Sequence, residues 1–304
     1  MINQTKLSIK NLIRALRLPF VTASAFPFIF GTLINSQQLN VLAFLLGLAG
    51  VIFMHLSANL INDYCDSKTT ADWDDKNFYA FFGGSKLIQE GIFSEKKFLA
   101  LSIFFGFLSS ISIIALAITI NSPFIIYALG AILFFGWSYS AKPLQLSYNR
   151  LGEIAIFILF GPVPVMGGYF IQTQIFPDLK SFMLSLPFGL LTTAILYANE
   201  VPDSLGDEKA GKFTLANKFK KEDAYLIYCI LMILAFSFIA INVLCNYINL
   251  VSLLAFLAIF YAVKAAGIIK KWPYNKMRLI KSSKLTILTH TIVSLILIIS
   301  IIII

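Results

Sequence analysis

The chain has 304 residues, of which 58% are hydrophobic and only 13% charged, and its net charge is +9 at pH 7. Its apolar runs approach or exceed the roughly 18 residues that indicate a membrane-spanning helix, which excludes a soluble globular domain. The three cysteines show no metal-ligand spacing, so neither a disulfide framework nor a zinc site is indicated. The basic residues form no aromatic-interleaved face, which argues against nucleic acid as a partner.

Nine apolar segments follow one another along the chain, and we predict that each is a transmembrane helix of an all-α, polytopic membrane protein. They cover 18–36, 41–61, 98–120, 123–141, 151–172, 182–200, 223–245, 248–270 and 285–304. The basic residues before the first segment are also typical of a signal peptide. The length of that segment and the eight that follow it favour a first helix.

The connections between these segments differ in charge. Those after segments one, three, five and seven carry a single basic residue, Lys180, whereas the N-terminal tail and the other connections are rich in Lys and Arg. By the positive-inside bias, the N-terminus and the basic loops are predicted to be cytoplasmic, with Ile304 on the opposite side.

Five aspartates lie within INDYCDSKTTADWDD, at 61–75, directly after the second apolar segment. A second acidic cluster, NEVPDSLGD at 199–207, follows the sixth segment. When the two are aligned on their asparagines, Asp63 lies over Glu200 and Asp66 over Asp203. Because both clusters follow even-numbered segments, they are expected on the same side of the membrane, where they can face each other.

Helical spacing is expected to place each cluster along one stripe. Pro202 makes an unbroken helix through the second cluster doubtful, because an interior proline removes a backbone hydrogen bond. The stripes contain His55, Asn59, Asn62 and Asp66 in the first copy, and Asn199, Asp203 and Asp207 in the second.

Carboxylate and amide oxygens are the ligands that Mg²⁺ prefers, usually together with waters and substrate phosphates. Two such clusters at one cavity indicate a magnesium-diphosphate site. Lys86 and Lys212 follow the clusters within glycine-containing stretches and are candidates for phosphate binding, although each is equally typical of a positive-inside loop. Asp74 and Asp75 have no counterpart in the second copy, and we interpret them as solvated.

These motifs resemble those of the UbiA superfamily of intramembrane prenyltransferases. NDYCDSKTTAD (62–72) is similar to its first aspartate-rich motif and NEVPDSLGDEKAGKFTLA (199–216) to its second. The resemblance implies a single domain over 1–304, with nine helices around a central cavity that opens near the cytoplasmic face. It implies magnesium ligands and diphosphate-binding lysines in this chain, namely Asn62, Asp63, Asp66, Asp72, Asn199, Asp203 and Asp207 for the metal, and Lys86, Lys209 and Lys212 for the diphosphate.

The resemblance also implies the reaction, which is Mg²⁺-dependent transfer of a polyprenyl group from an allylic diphosphate to an aromatic acceptor in quinone biosynthesis. GGSKLIQEG (83–91) and YSAKPLQLSYNRLGE (139–153) are most similar to 1,4-dihydroxy-2-naphthoate polyprenyltransferases of menaquinone synthesis. Those enzymes often carry N-N-x-R-D in the second motif, whereas Glu200 and Pro202 stand at two of those positions here. 4-Hydroxybenzoate or another aromatic or lipid acceptor is therefore the alternative.

Individual residues of the site have expected roles, some of them with alternatives. Asp66, Asp203 and Lys86 are expected to be catalytic. Tyr139 and Lys142 are candidates for orienting the acceptor, or are an interfacial anchor and a positive-inside lysine. His55 is a base, a hydrogen-bond partner or a buried structural residue.

A cation transporter is a remote alternative, but its carboxylates usually lie near the midplane in inverted repeats, and these clusters share one side. The predicted partners are a polyprenyl diphosphate, an aromatic acceptor and the lipid bilayer, in a bacterial cell membrane.

Overall fold

The computed structural model describes residues 8–35, 39–69, 73, 75 and 77–303. Within them the chain is helical and contains no β-strand, apart from one isolated bridge between Asn149 and Phe213. The helices are α1 (Ile9–Leu16), α2 (Thr22–Leu33), α3 (Val41–Lys68), α4 (Glu95–Thr119), α5 (Phe124–Ser138), α6 (Gly152–Phe160), α7 (Pro162–Thr173), α8 (Leu179–Lys209), α9 (Ala224–Leu244), α10 (Ile259–Lys271) and α11 (Lys276–Ile302). The predicted all-α class is confirmed.

The number of membrane spans depends on how the bent and the shorter helices are counted. In the described part of the chain, seven helices are long and apolar enough to cross a membrane, or eight if the bent pair α1–α2 is one span. The predicted fourth segment forms the shorter helix α5, which has 15 residues. The order of the segments agrees with the prediction, whereas the count of nine is not confirmed.

Irregular backbone precedes one predicted span and interrupts two others. A bend of 43° lies between Ile9–Leu16 and Leu18–Leu33, directly before the first span, where Arg17 is left-handed and Pro19 lies within a short 3-10 turn. The fifth is divided at Gly161, and the eighth begins as a 3-10 helix at Leu250–Ala258. Irregular backbone is tolerated at membrane depth where protein buries it or where it lines a cavity.

Helix α8 forms the centre of the bundle, because 83% of its most apolar stretch is buried inside the protein. It packs against α2, α6, α7, α9 and α11, and α11 also packs against α2, which closes the bundle. The expectation that Pro202 disrupts this helix is wrong, since α8 continues through Pro187 and Pro202 to Lys209. Neighbouring helices can compensate for a missing backbone hydrogen bond in a membrane bundle.

Helices α2 and α7 approach each other through glycine. A Cβ atom at Gly31 would lie 2.1 Å from the carbonyl oxygen of Val165, and one at Gly168 would lie 2.5 Å from that of Phe28. Such contacts admit no larger side chain, and small residues at helix interfaces are typical of membrane bundles. The α2–α7 pair therefore forms a closely packed wall of the bundle.

Candidate active site

A cavity of about 210 Å³ lies where α3 and α8 end. Both predicted polar stripes line it, because α3 extends through Lys68 and α8 through Lys209, so the residues of both stripes are helical. The structure therefore brings the clusters together at one cavity, as their alignment predicts. The predicted residues that line it are His55, Asn59, Asn62, Asp66, Tyr139, Asn199, Asp203, Asp207 and Lys212.

Lys212 connects the two clusters directly. Its Nζ lies 3.6 Å from Oδ2 of Asp66 and 3.7 Å from Oδ1 of Asp207. Burial disfavours the charge on Lys212, but Asp207 and Asp66 outweigh this effect and raise its pKa well above the usual value. The ammonium group is therefore charged at neutral pH and offsets the repulsion between the two carboxylates.

Asp63 lies beside the cavity and does not line it. Its carboxylate forms an ion pair with Arg17 and accepts a hydrogen bond of 3.1 Å from the backbone N–H of Ser85. Arg17 itself lines the cavity. Asp63 therefore orients a cation at the site, and Arg17 is a cavity residue that the sequence analysis counted only among the basic residues of the N-terminal region.

The segment 81–84 covers the cavity. Phe81, Phe82, Gly83 and Gly84 line it, and the backbone N–H of Gly83 donates to Oδ2 of Asp203 at 2.7 Å. Gly83 has φ +72°, a left-handed conformation that favours glycine. Lys86 is 2% exposed, and its Nζ lies close to Gly83 beneath this segment.

Tyr148 holds Asp66 in place. Its hydroxyl donates to Oδ1 of Asp66 at 2.6 Å and also pairs with Oγ1 of Thr69 at 2.6 Å. Burial, and then the charge of Asp66, raise the pKa of Tyr148, so the hydroxyl keeps its proton and remains a donor. Tyr148 belongs to a stretch noted for its resemblance, but sequence reasoning did not single it out.

Lys276 holds Asp203, in the second acidic cluster, in place. Its Nζ lies 3.4 Å from Oδ1 of Asp203 and 2.9 Å from Oδ2 of Asp75. The expectation that Asp75 is merely solvated is wrong, because Asn77 and Tyr79 also donate to its carboxylate. Burial opposes ionisation of Asp75, but these hydrogen bonds and Lys276 lower its pKa to about 2.

Other predicted site residues lie elsewhere. Lys142 and Lys209 are exposed and do not line the cavity. Asp72 lies outside the described residues, as does Asp74. Tyr139 does line the cavity, at the end of α5, whereas its proposed partner Lys142 does not.

Three buried oxygen atoms of cavity residues lack a hydrogen-bond partner in the described part of the chain: Oγ1 of Thr192, Oδ1 of Asn199 and Oε2 of Glu200. Unpaired buried acceptors are unfavourable unless a ligand satisfies them. No three His, Cys, Asp or Glu side chains among the described residues form a ready-made metal site. Mg²⁺ commonly binds only one or two carboxylates, together with waters and phosphates. The carboxylate and amide oxygens at the ends of α3 and α8 therefore suit Mg²⁺.

A second cavity, of about 410 Å³, continues from the first toward the starts of α3 and α5. The two share His55, Ala58, Gly136, Leu159 and Phe160 in their walls. The second cavity is lined mostly by apolar residues of helices α2 to α7. A polar chamber joined to an apolar one suits a ligand with a charged head and a long hydrocarbon tail.

His55 lies at the junction of the two cavities. Its Nδ1 is 2.8 Å from Oγ of Ser24, and its Nε2 has no hydrogen-bond partner within the described ranges. Phe160 packs edge-on against the imidazole, with the ring centroids 5.5 Å apart. His55 is thus fixed by Ser24 with one nitrogen remaining for a ligand or water.

Helices, cavities and clustered carboxylates together define a polytopic membrane protein with an acidic polar chamber. Residues 24–288 match the UbiA prenyltransferase family, and the chain belongs to that family. The assignment made from the two acidic motifs is therefore confirmed, and with it the assignment to a family of membrane-embedded transferases.

Curated relatives carry related names. The chain is 30% identical to a 1,4-dihydroxy-2-naphthoate octaprenyltransferase of Haemophilus influenzae over 226 residues, which is 72% of this chain and 71% of the relative. It is 35% identical over 102 residues to UbiA prenyltransferase domain-containing protein 1 of Dictyostelium discoideum. That match spans 34% of this chain and only 31% of the relative's length.

Solved structures share the fold. One described as a digeranylgeranylglyceryl phosphate synthase has a TM-score of 0.64 and 22% identity, covering 97% of this chain and 99% of that one. A UbiA homolog from Archaeoglobus fulgidus, bound to GPP and Mg²⁺, has a TM-score of 0.62 and 19% identity, with 94% and 99% of the two chains covered. The bundle is therefore that of the family along nearly its whole length.

Proposed function

We propose that this protein catalyses the Mg²⁺-dependent transfer of a polyprenyl group from an allylic diphosphate to an aromatic acceptor, 1,4-dihydroxy-2-naphthoate. The observation that carries the proposal is the carboxylate-lined cavity joined to an apolar one at His55, Leu159 and Phe160. The charged diphosphate would bind in the first cavity and the prenyl chain in the second.

The metal would be held by side-chain oxygens from both helix ends. When bound, Mg²⁺ would neutralise the negative charge that develops on the departing diphosphate. Lys212 and Arg17 line the same cavity and would bind the diphosphate oxygens through charge-assisted hydrogen bonds. The proposed ligands are Asn62, Asp66, Asn199, Asp203 and Asp207, with Asp63, Asp72 and Lys86 acting close to them.

The chain must also protect the allylic cation that forms as the C–O bond breaks. Phe160 lies between the two cavities, and Phe81 and Phe82 cover the polar one. Aromatic faces stabilise a nearby cation by about 0.5–2 kcal/mol and exclude water that would quench it. The acceptor ring would then bind beside Tyr139 and attack the allylic carbon.

The acceptor is proposed from the names of the relatives and from the segments 83–91 and 139–153. In this reaction the new C–C bond would form as the ring carboxylate leaves as carbon dioxide. Purified protein should therefore release labelled carbon dioxide from carboxyl-labelled 1,4-dihydroxy-2-naphthoate. This release should require both geranylgeranyl diphosphate and Mg²⁺.

The alternative acceptor gives a different result. A prenylated 4-hydroxybenzoate that keeps its carboxylate, without carbon dioxide release from the naphthoate, would replace the naphthoate assignment and preserve the two-cavity prenyl transfer. Failure of every aromatic acid to accept the prenyl group would contradict the proposed function itself. Metal-dependent ion uptake into proteoliposomes without any diphosphate would favour a transporter.

We also propose that the polar cavity opens to the cytoplasm of a bacterial cell. The basic residues concentrate in the connections on that side, as the positive-inside bias requires. In a cysteine-free background, Asn246→Cys should react with an impermeant thiol reagent added outside, and Lys218→Cys should not. Both positions are exposed, so the reverse pattern would invert the orientation.

A further inference from the structure

Glu200 is a buried acidic residue at the polar cavity that neither predicted stripe includes. It is 7% exposed and lines the cavity together with its neighbour Asn199. Successive residues of a helix point about 100° apart, so Glu200 faces a different direction from Asn199. That direction is toward α6, whose first turn contains Glu153.

Glu153 fixes the position of Glu200. The carboxyl group of Glu153 lies beside that of Glu200, and Oε1 of Glu153 accepts the backbone N–H of Leu215 at 2.5 Å. Glu153 is itself 7% exposed. The carboxyl group of Glu200 is therefore anchored between α6, α8 and the segment that follows α8.

One oxygen of Glu200 remains for a ligand. Oε2 of Glu200 is buried and has no hydrogen-bond partner among the described residues. A carboxyl oxygen in this position can accept a hydrogen bond from a ligand. The charged and titratable groups that interact with Glu200 are Glu153, Lys212, Asp207, Tyr139 and Tyr197.

The neighbours of Glu200 suit a neutral donor better than an anion. Glu153 and Asp207 repel any carboxylate that would approach from α6 or α8, and the ammonium group of Lys212 lies between Asp66 and Asp207, away from this corner. Tyr139, on the opposite wall, lies close enough to Gly152 to close this corner of the cavity. The corner therefore favours a hydroxyl group on a flat ring.

We infer that Glu200 determines acceptor specificity, because its Oε2 accepts a hydrogen bond from a ring hydroxyl of the aromatic acceptor. The inference rests on the proposed function and adds the orientation of the bound acceptor. The hydroxyl points toward α6, and any carboxylate of the acceptor points away from the Glu153–Glu200 pair. As the ring carbon bonds to the allylic carbon, positive charge grows on the hydroxyl oxygen, and the accepted hydrogen bond stabilises it.

The test compares Glu200→Gln with the wild-type protein. The substrates are 1,4-dihydroxy-2-naphthoate and its two monomethyl ethers, at saturating geranylgeranyl diphosphate and Mg²⁺. The wild-type protein should lose at least about tenfold in kcat/KM with one of the ethers, because an unpaired buried acceptor rejects an analogue that lacks the donor. Glu200→Gln should reduce that loss to about threefold or less, since its amide can donate to an ether oxygen.

Glu200→Gln should also change the KM for the acceptor without changing the KM for the diphosphate. The KM for the acceptor should rise by about tenfold, while the KM for the diphosphate and the Mg²⁺ dependence should stay within about twofold. Glu208→Gln is the matched control, because Glu208 lies on the same helix but is exposed, and it should behave as the wild type.

Three results would overturn the inference. The first is an altered Mg²⁺ dependence with an unchanged acceptor KM, which would make Glu200 a metal ligand. The second is an unchanged preference for the hydroxyl in an active variant. The third is a wild-type protein that prenylates no aromatic acid, which would remove the proposed function as well.

If Glu200→Gln does not fold, Glu200→Asp is the second variant. It keeps a carboxyl group but shortens its reach, and it must then lose the discrimination between hydroxyl and ether.

If the wild-type protein accepts only 4-hydroxybenzoate, the same comparison is made with 4-methoxybenzoate. The discrimination between hydroxyl and ether should again depend on Glu200. Its persistence in Glu200→Gln would contradict the inference without affecting the assignment of prenyl transfer.

Discussion

The two acidic helix ends have similar sequences but different surroundings. At the end of α3, Asp63 is paired with Arg17, and Asp66 accepts a hydrogen bond from Tyr148. At the end of α8, Asn199 and Glu200 each keep a buried oxygen without a partner in the described chain. The α3 end therefore provides fixed ligands, whereas the α8 end keeps acceptors that a bound molecule can satisfy.

The difference arises from the position of each helix in the bundle. The end of α3 contacts α1 and the segment around Ser85, which supply Arg17 and a backbone N–H. Helix α8 lies at the centre of the bundle, where Asp203 and Asp207 find cationic partners but one oxygen each of Asn199 and Glu200 does not find a partner among the described residues. Buried polar groups without protein partners are typical of binding sites.

The largest expected effect tests whether both ends are required. Asp66→Asn and Asp203→Asn should each reduce kcat by about 100-fold or more, because each removes a carboxylate charge from the cavity while leaving the shape of the side chain unchanged. Prenyl transfer by purified protein, normalised to the folded fraction from size-exclusion chromatography, is the measurement. An active Asp66→Asn variant would confine the metal site to α8.

The link between the two ends is tested at Lys212. Lys212→Met should reduce kcat/KM for the prenyl diphosphate by about 10- to 100-fold, since it removes the cation shared by Asp66 and Asp207. Lys218→Met, a change in the same connection at an exposed residue, is the control. An effect no larger than that of the control would mean that the clusters do not depend on a shared cation.

The rigidity of the α3 end is tested at Tyr148. Tyr148→Phe removes the hydroxyl that orients Asp66 and should reduce activity by about tenfold, with a higher Mg²⁺ concentration needed for half-maximal rate. The effect should be smaller than that of Asp66→Asn, because the carboxylate remains. If the Mg²⁺ dependence does not move, Tyr148 has only a packing role, and the two ends are more alike than their hydrogen bonds indicate.

The smallest effect concerns the tether between Asp75 and Lys276. Asp75→Asn should lower activity by a few-fold at neutral pH, because a partly exposed ion pair contributes little. The folded-state pKa of Asp75 is lowered to about 2 from 3.8, so its stabilising effect is present above pH 3.8 and is lost as the pH falls toward 2. Hydrogen exchange of 77–84 at pH 7 should increase in the variant, and an unchanged rate would show that the tether does not hold this segment.

Much of this site follows from the sequence. The spacing of His55, Asn59, Asn62 and Asp66 places all four on one wall of the cavity, and the helical period alone predicts this. The same rule works for Asn199, Asp203 and Asp207. Helix periodicity is local, so a single sequence reveals it.

The partners of these residues were not predictable in the same way. Arg17, Tyr148 and Lys276 come from elements far from the acidic clusters in sequence, and each is a common type of interfacial residue in a membrane protein. Their roles depend on tertiary packing. Pro202 shows that a local sequence preference can also mislead. The packing of α8 at the bundle centre outweighs the unfavourable effect of an interior proline.

The short helix α5 has a further consequence for the surrounding lipid. Its 15 residues are about 22 Å long, whereas the 25 residues of α4 are about 37 Å long. A bilayer core of about 30 Å would have to thin or deform beside α5 where this helix crosses it, and Gly136 of α5 lines both cavities. Hydrophobic mismatch would then be concentrated at one side of the bundle, and the activity in vesicles should depend on acyl-chain length more than on the nature of the lipid headgroup.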